Sequence, residues 1–143
     1  MLHRLLSLIM RDKEMPETFS ELYASLLKND VFTIQARENI NQGADALTCA
    51  LAYAEQGKPE FTLAYLLLSD ISDKEKQEIL AVSYDQRAKD SEQKAELFDL
   101  QFHRPFPLIK LEAHKDRLAA QQIRQGRRVR HDSVARLRLD TTL

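Results

Sequence analysis

The sequence predicts an all-α fold, a compact bundle of five to six helices in which one helix is long (about residues 72–102) and a basic tail follows. Three observations carry that expectation. Apolar residues recur at steps of three and four along most of the chain, the period of a helix with one buried stripe. Helix start and stop signals punctuate those stretches, whereas strand signals do not recur. Between Pro59 and Pro105 there is neither glycine nor proline, which leaves room for an uninterrupted helix. The 143 residues suit one domain, placed at 1–126, able to bury roughly 70% of its unfolded surface. Residues 127–143 form an Arg-rich tail expected to be mobile.

The elements follow in chain order. Leu2, Leu5, Leu6 and Ile9 sit at helical spacing, so residues 1–15 read as a separate amphipathic N-terminal helix. A signal peptide is disfavoured because no small-residue cleavage site follows. A chain that opens directly on a core-type helix also fits an internal-start product or a piece of a longer protein, and Met15 offers a second start. Pro16 is placed as a first-turn residue, and Phe19, Leu22, Tyr23, Leu26 and Leu27 carry a helix to about Lys28. Asn29 and Asp30 end it and cap the next, which holds Val31, Ile34 and Ile40 and stops at Gly43.

Leu47, Ala50, Leu51 and Ala54 make a third helix, broken by Gly57. Pro59 opens a fourth through Phe61 to Leu68. Both are apolar nearly all round and are expected at the buried centre. Ser72 with Glu75 reads as a capping box that starts the long helix, about 45 Å at 1.5 Å per residue. Its seam, Ala81, Tyr84, Ala88, Ser91, Ala95, Phe98 and Phe102, alternates steps of three and four with small residues at most positions. Small residues let another helix approach closely, so Ala81, Tyr84, Ala88, Ser91 and Ala95 are candidate protein-interface residues, for this chain's own core or for another chain. Asp85/Lys89 and Asp90/Lys94 are expected to pair at i, i+4 on the opposite face. His103 to Pro107 is expected to be extended, because each proline disfavours helix for the residue before it. Leu108, Leu111, Leu118 and Ile123 then support a last helix ending at Gly126.

Stretch Ala46 to Ser69 resembles one tetratricopeptide hairpin, with Ala50, Tyr53, Gly57 and Leu66 at the small, aromatic, turn-glycine and second-helix positions. Thr62 departs from that pattern. A weaker echo pairs Ala50, Tyr53 and Ala64 with Ala81, Tyr84 and Ala95. The resemblance implies packed antiparallel helices and an adaptor role. By size, all-helical layout and basic end, the chain is also similar to the small subunits of multi-subunit CRISPR effector complexes. That similarity implies a non-catalytic place in a nucleoprotein assembly.

Charge is split by position. Residues 1–100 hold 11 Lys/Arg against 18 Asp/Glu, and residues 101–143 hold 10 against 4. A basic end of this kind suits an anionic partner. Guanidinium groups hold phosphate in bidentate fashion, and every base after Lys115 is arginine. Lys110, Arg117, Arg124, Arg127, Arg128, Arg130, Arg136 and Arg138 are therefore the candidate contacts to a nucleic-acid backbone. No aromatic residue follows Phe106, so contact from the tail is expected to be independent of base sequence.

Chemistry is sparse. Three glycines cannot build a phosphate-cradling loop, the four histidines are scattered, and no nucleophile motif is present. Enzymatic activity, a metal site, a cofactor and a small-molecule substrate are not expected. Cys49 alone fits a buried thiol in a reduced, cytoplasmic protein, and no apolar run approaches the ~20 residues of a membrane span. The expected partners are nucleic acid, contacted without sequence preference, and protein subunits of a larger complex or further copies of the chain. The leading expectation is a non-catalytic helical subunit offering a basic surface to nucleic acid; the alternative is a protein-binding adaptor.

Overall fold

The computed structural model describes residues 18–24 and 30–129, and all regular structure among them is helical. The elements are α1 (Phe19–Leu22), α2 (Val31–Asn41), α3 (Ala46–Glu55), α4 (Pro59–Leu67), α5 (Asp73–Phe102) and α6 (Pro107–Arg124). α1 ends at Leu22 with Tyr23 as its cap, whereas the spacing predicted helix onward to about Lys28; the expected helix over 1–15, Pro16, Leu26 to Lys28 and the tail from Arg130 onward lie outside the described residues.

Each start has a local cause. Asp30, Asp45 and Ser72 accept hydrogen bonds from the backbone N–H of Thr33, Thr48 and Glu75, three residues on. Thr18 does the same for Glu21, which completes a capping box that the sequence reading missed. Pro59 and Pro107 open α4 and α6 at a position whose N–H would have no partner within the helix. The stretch expected to be extended is not so throughout: His103 ends α5 in the left-handed conformation, φ 54°, where a glycine would be the usual residue, and Pro107 already belongs to α6.

Helices stack as hairpins. α3 and α4 form one antiparallel pair, α2 lies on α4, both α3 and α4 lie on α5, and α6 returns along α5. The core gathers Leu63 and Leu66 of α4, Leu80, Ala81 and Tyr84 of α5, and Ala120 and Ile123 of α6. Phe19 and Tyr23 close it at one end. Each large apolar side chain buried there contributes roughly 1.5–3 kcal/mol. Tyr53 stacks between Phe61 and Tyr65 at 4.8 and 5.7 Å, and Phe32 meets Phe61 edge-on at 4.7 Å, which joins α2, α3 and α4.

Three expectations about faces need correction. α4 is buried almost throughout, but α3 buries only Ala50 and Ala54 and leaves Leu51 exposed, because its other side faces solvent. In α2 the buried residues are Thr33 and Ala36, while Val31 and Ile34 point outward. In α6 the helix is present as expected, yet Leu108, Leu111 and Leu118 are exposed. Its packed face is Ile109, Ala113, Asp116, Ala119, Ala120 and Ile123. The expected i, i+4 pairings on α5 give way to other partners: Asp85 accepts from Arg124, and Asp90 accepts from Gln86.

Candidate functional site

The α5–α6 hairpin dominates the molecule, and a buried ion cluster fixes it to the body. Arg87 Nε and Nη2 donate to the two Asp116 carboxylate oxygens at 3.0 and 2.9 Å, and Nη1 donates to Glu60 Oε1 at 3.1 Å. One planar guanidinium thus ties α5 to α6 and α4 together, with the Tyr84 ring 5.2 Å below it. Burial opposes the charge on Arg87, but the hydrogen bonds and negative charge of Asp116, with Glu60, outweigh it and hold the guanidinium more firmly protonated than usual. Burial pushes the Tyr84 phenol well above its ordinary value. The turn between α3 and α4 rests on the same stretch. A Cβ on Gly57 would stand 2.9 Å from the Arg87 backbone nitrogen.

The candidate phosphate contacts divide. Arg117 Nε donates to Glu92 at 2.6 Å. Arg124 reaches Glu78 through Nε and Nη2, both at 3.1 Å, and Asp85 through Nη1 at 2.8 Å. The hydrogen bond from Arg117 holds the Glu92 carboxyl below its usual range, and the hydrogen bonds that Arg124 donates to Glu78 and Asp85 hold its guanidinium more firmly protonated than usual. These two arginines are therefore spent on the acidic side of α5. Lys110 and Arg127 are exposed. Arg128 lies 6.0 Å from the centre of the Tyr23 ring, while the Val129 N–H faces the Tyr23 hydroxyl at 3.4 Å. Arg130, Arg136 and Arg138 lie outside the described residues.

The small-residue seam is filled by this chain. Ala81, Tyr84, Ala88 and Ala95 are buried, Ser91 is half-buried, and α6 is the helix that lies along the upper seam. Ala88 and Ala95 of α5 and Ala113, Ala119 and Ala120 of α6 are all buried, as a close approach of the two backbones requires. Another chain could reach them only by displacing α6.

Beyond the ion cluster the hairpin carries a different surface. Leu97 is 64% exposed, Leu100 69% and Leu108 72%, with Phe102 and Leu111 also exposed. Phe98, Phe102 and Phe106 meet edge-on at 5.3 to 5.9 Å across the turn, and Lys94 and Arg104 lie over two of those rings. Isolated exposed leucines are ordinary, but five large apolar residues exposed within fifteen, divided between the outer sides of α5 and α6, mark this end of the hairpin. The signal was in the sequence: Leu97 and Leu100 sit outside the seam, and Leu108 and Leu111 outside the alanine stripe of α6.

Other chemistry is not evident among the described residues. No group of three or more His, Cys, Asp or Glu side chains could hold a metal ion, and no helix is long and apolar enough to cross a membrane. An open cleft of about 340 Å³ between the ends of α2, α3 and α4 is lined by Ile40, Leu47, Leu68 and Ile71 with Asp45 and Asp70. Asp45 is already engaged in capping α3. Comparison with protein-family models, with curated proteins and with solved structures finds no match.

Proposed function

We propose that the chain is a non-catalytic helical subunit of a larger assembly, joined to its neighbours through the free end of the α5–α6 hairpin. The observation that carries this reading is the exposed group Leu97, Leu100, Leu108 and Leu111 on an arm whose base is locked by Arg87. A rigid arm with an apolar end suits protein contact, because little ordering is needed before the apolar surface is buried. This places the adaptor reading ahead of the phosphate reading for the hairpin itself.

Nucleic-acid backbone contact is supported separately, by Lys110, Arg127 and Arg128 near the basic end. Its strength is tempered by Arg117 and Arg124, which acidic side chains of α5 already engage. The two readings separate in one pull-down of the tagged chain from its native cells, with and without nuclease. Loss of the bound proteins on Leu97→Glu/Leu100→Glu, unaffected by nuclease, is the result expected of a protein-contacting arm. Loss on nuclease treatment or on Arg127→Ala/Arg128→Ala, with the leucine variant unchanged, would favour the phosphate reading instead.

A further inference from the structure

The cleft between the ends of α2, α3 and α4 joins two kinds of surface. Ile40, Leu47, Leu68 and Ile71 line it and are each half-buried, so its walls are aliphatic and still open to solvent. Around them, residues 37–45 and 68–75 hold five acids, Glu38, Asp45, Asp70, Asp73 and Glu75, against two bases, Arg37 and Lys74. Asp45 keeps its charge, because hydrogen bonds from the Thr48 hydroxyl and backbone N–H hold its carboxyl below the ordinary value. At about 340 Å³ the cleft has room for a few aliphatic side chains, not for a folded surface. Its chemistry calls for a short segment that is apolar on one side and carries positive charge.

The chain holds such a segment within reach. Met1 to Arg11 contains Leu2, Leu5, Leu6 and Ile9 at helical spacing together with His3, Arg4 and Arg11, and no acid. Its point of attachment is fixed, since Phe19 is fully buried and its N–H donates to Asp73 Oδ2 at 3.1 Å. Asp73 follows Ile71 by two residues, which puts Thr18 within roughly 15 Å of the cleft wall. The six residues from Asp12 to Glu17 span at most about 20 Å when fully extended. They are long enough to bring Ile9 to the cleft. Leu97, by contrast, stands about 36 Å along α5 from Asp73.

We infer that residues 2–11 of this chain occupy the cleft, with the stripe Leu2, Leu5, Leu6 and Ile9 against Ile40, Leu47, Leu68 and Ile71. On a helix Arg4 and Arg11 lie roughly 150–170° round from the centre of that stripe. They act through the acidic surroundings of the cleft and not by ion pairs on its floor. The tether makes a weak contact sufficient, because a short linker sets an effective concentration in the mM range. Occupation ties the start of the chain across α2, α3 and α4, and a chain started at Met15 would leave the cleft open. This inference is independent of the reading of the hairpin end, which lies at the other end of α5.

The direct test is methyl NMR of the wild-type full chain. Nuclear Overhauser contacts are expected between the methyls of Leu5 or Ile9 and those of Leu47, Leu68 or Ile71. Leu5→Glu/Ile9→Glu should then move the signals of Ile40, Leu47, Leu68 and Ile71 and leave those of Leu97 and Leu100 in place. Val82→Glu, at an exposed apolar position outside the cleft, should move none of the four. A peptide with the sequence of residues 1–11, added to the Leu5→Glu/Ile9→Glu variant, should return the four signals to their wild-type positions. That recovery also shows that the variant is folded. The same peptide with Arg4→Glu/Arg11→Glu should need roughly tenfold more to do so at low salt.

Absence of those contacts in the wild type overturns the proposal, whatever the variants do. So do cleft signals that are the same in the wild type and the segment variant, or a displacement that the peptide does not reverse. A peptide that works equally well with either charge overturns the match by which the occupant was chosen.

Discussion

Arg87 shows how one side chain can decide where a long helix sits. Its partners are 27 and 29 residues away in sequence, so periodicity gives no hint of them. Removing it takes from buried Asp116 the guanidinium that donates to both of its oxygens, and breaking such a pair costs about 3–5 kcal/mol. Arg87→Ala should therefore lower the unfolding free energy by that amount, read from urea unfolding as a lower midpoint at unchanged slope. Arg87→Met with Glu60→Leu and Asp116→Leu should recover most of it, because an apolar replacement of the whole cluster leaves no unpaired charge. A triple variant as unstable as the single one would mean that the cluster does more than fix register.

Gly57 gives a second residue-scale prediction. With φ at 68° and the Arg87 backbone 2.9 Å from a new Cβ, Gly57→Ala should cost about 2–4 kcal/mol, the left-handed strain adding to a clash with backbone. Gly43→Ala meets open space and should cost only the strain, about 1–2 kcal/mol. Thermal melts of the two variants compare the costs directly. A third concerns Glu92, whose folded carboxyl titrates below its ordinary 4.5 because Arg117 hydrogen-bonds to the charged form. The stabilisation is present above that ordinary value and is lost as pH falls through the lowered folded one. An NMR titration should place the Glu92 midpoint below 4.5, and Arg117→Ala should return it toward 4.5.

Among the elements, α6 is the instructive case. Its end was legible because Gly126 is a local signal, whereas Pro107, expected in an extended stretch, is its first residue. Its face was not legible, since leucine and alanine compete for the interior and the partner decides. The upper seam of α5 is made of Ala88, Ser91 and Ala95, which admit a helix only at close range, and at that range alanines pack where leucines would collide. The leucines were left outside as a result. Ala88→Leu should then force α5 and α6 apart at a fully buried position and cost about 1–3 kcal/mol, measured by thermal unfolding. No change in stability would mean that the seam is looser than its burial implies. The start of α5 was readable for the opposite reason: Ser72 and Glu75 cap each other regardless of what packs on the helix.

On the scale of the whole molecule, the charge split visible in the sequence is partly internal. Arg117 and Arg124 of the basic part meet Glu92, Glu78 and Asp85 of the acidic part along the hairpin. Counting charges could not reveal this, because pairing depends on α6 folding back antiparallel. α4 and the turn between α3 and α4 meet the hairpin at Arg87 and Asp90, and the aromatic turn lies about 18 Å further along α5. The functional reading of the hairpin depends on that division between a held base and a free end. Hydrogen exchange by mass spectrometry on the dilute full chain tests the division most directly. The account predicts strong protection for amides near 80–90, where Arg87 locks the helices, and weaker protection toward 97–102 and 108–112. Uniform protection along α5 and α6 would contradict it.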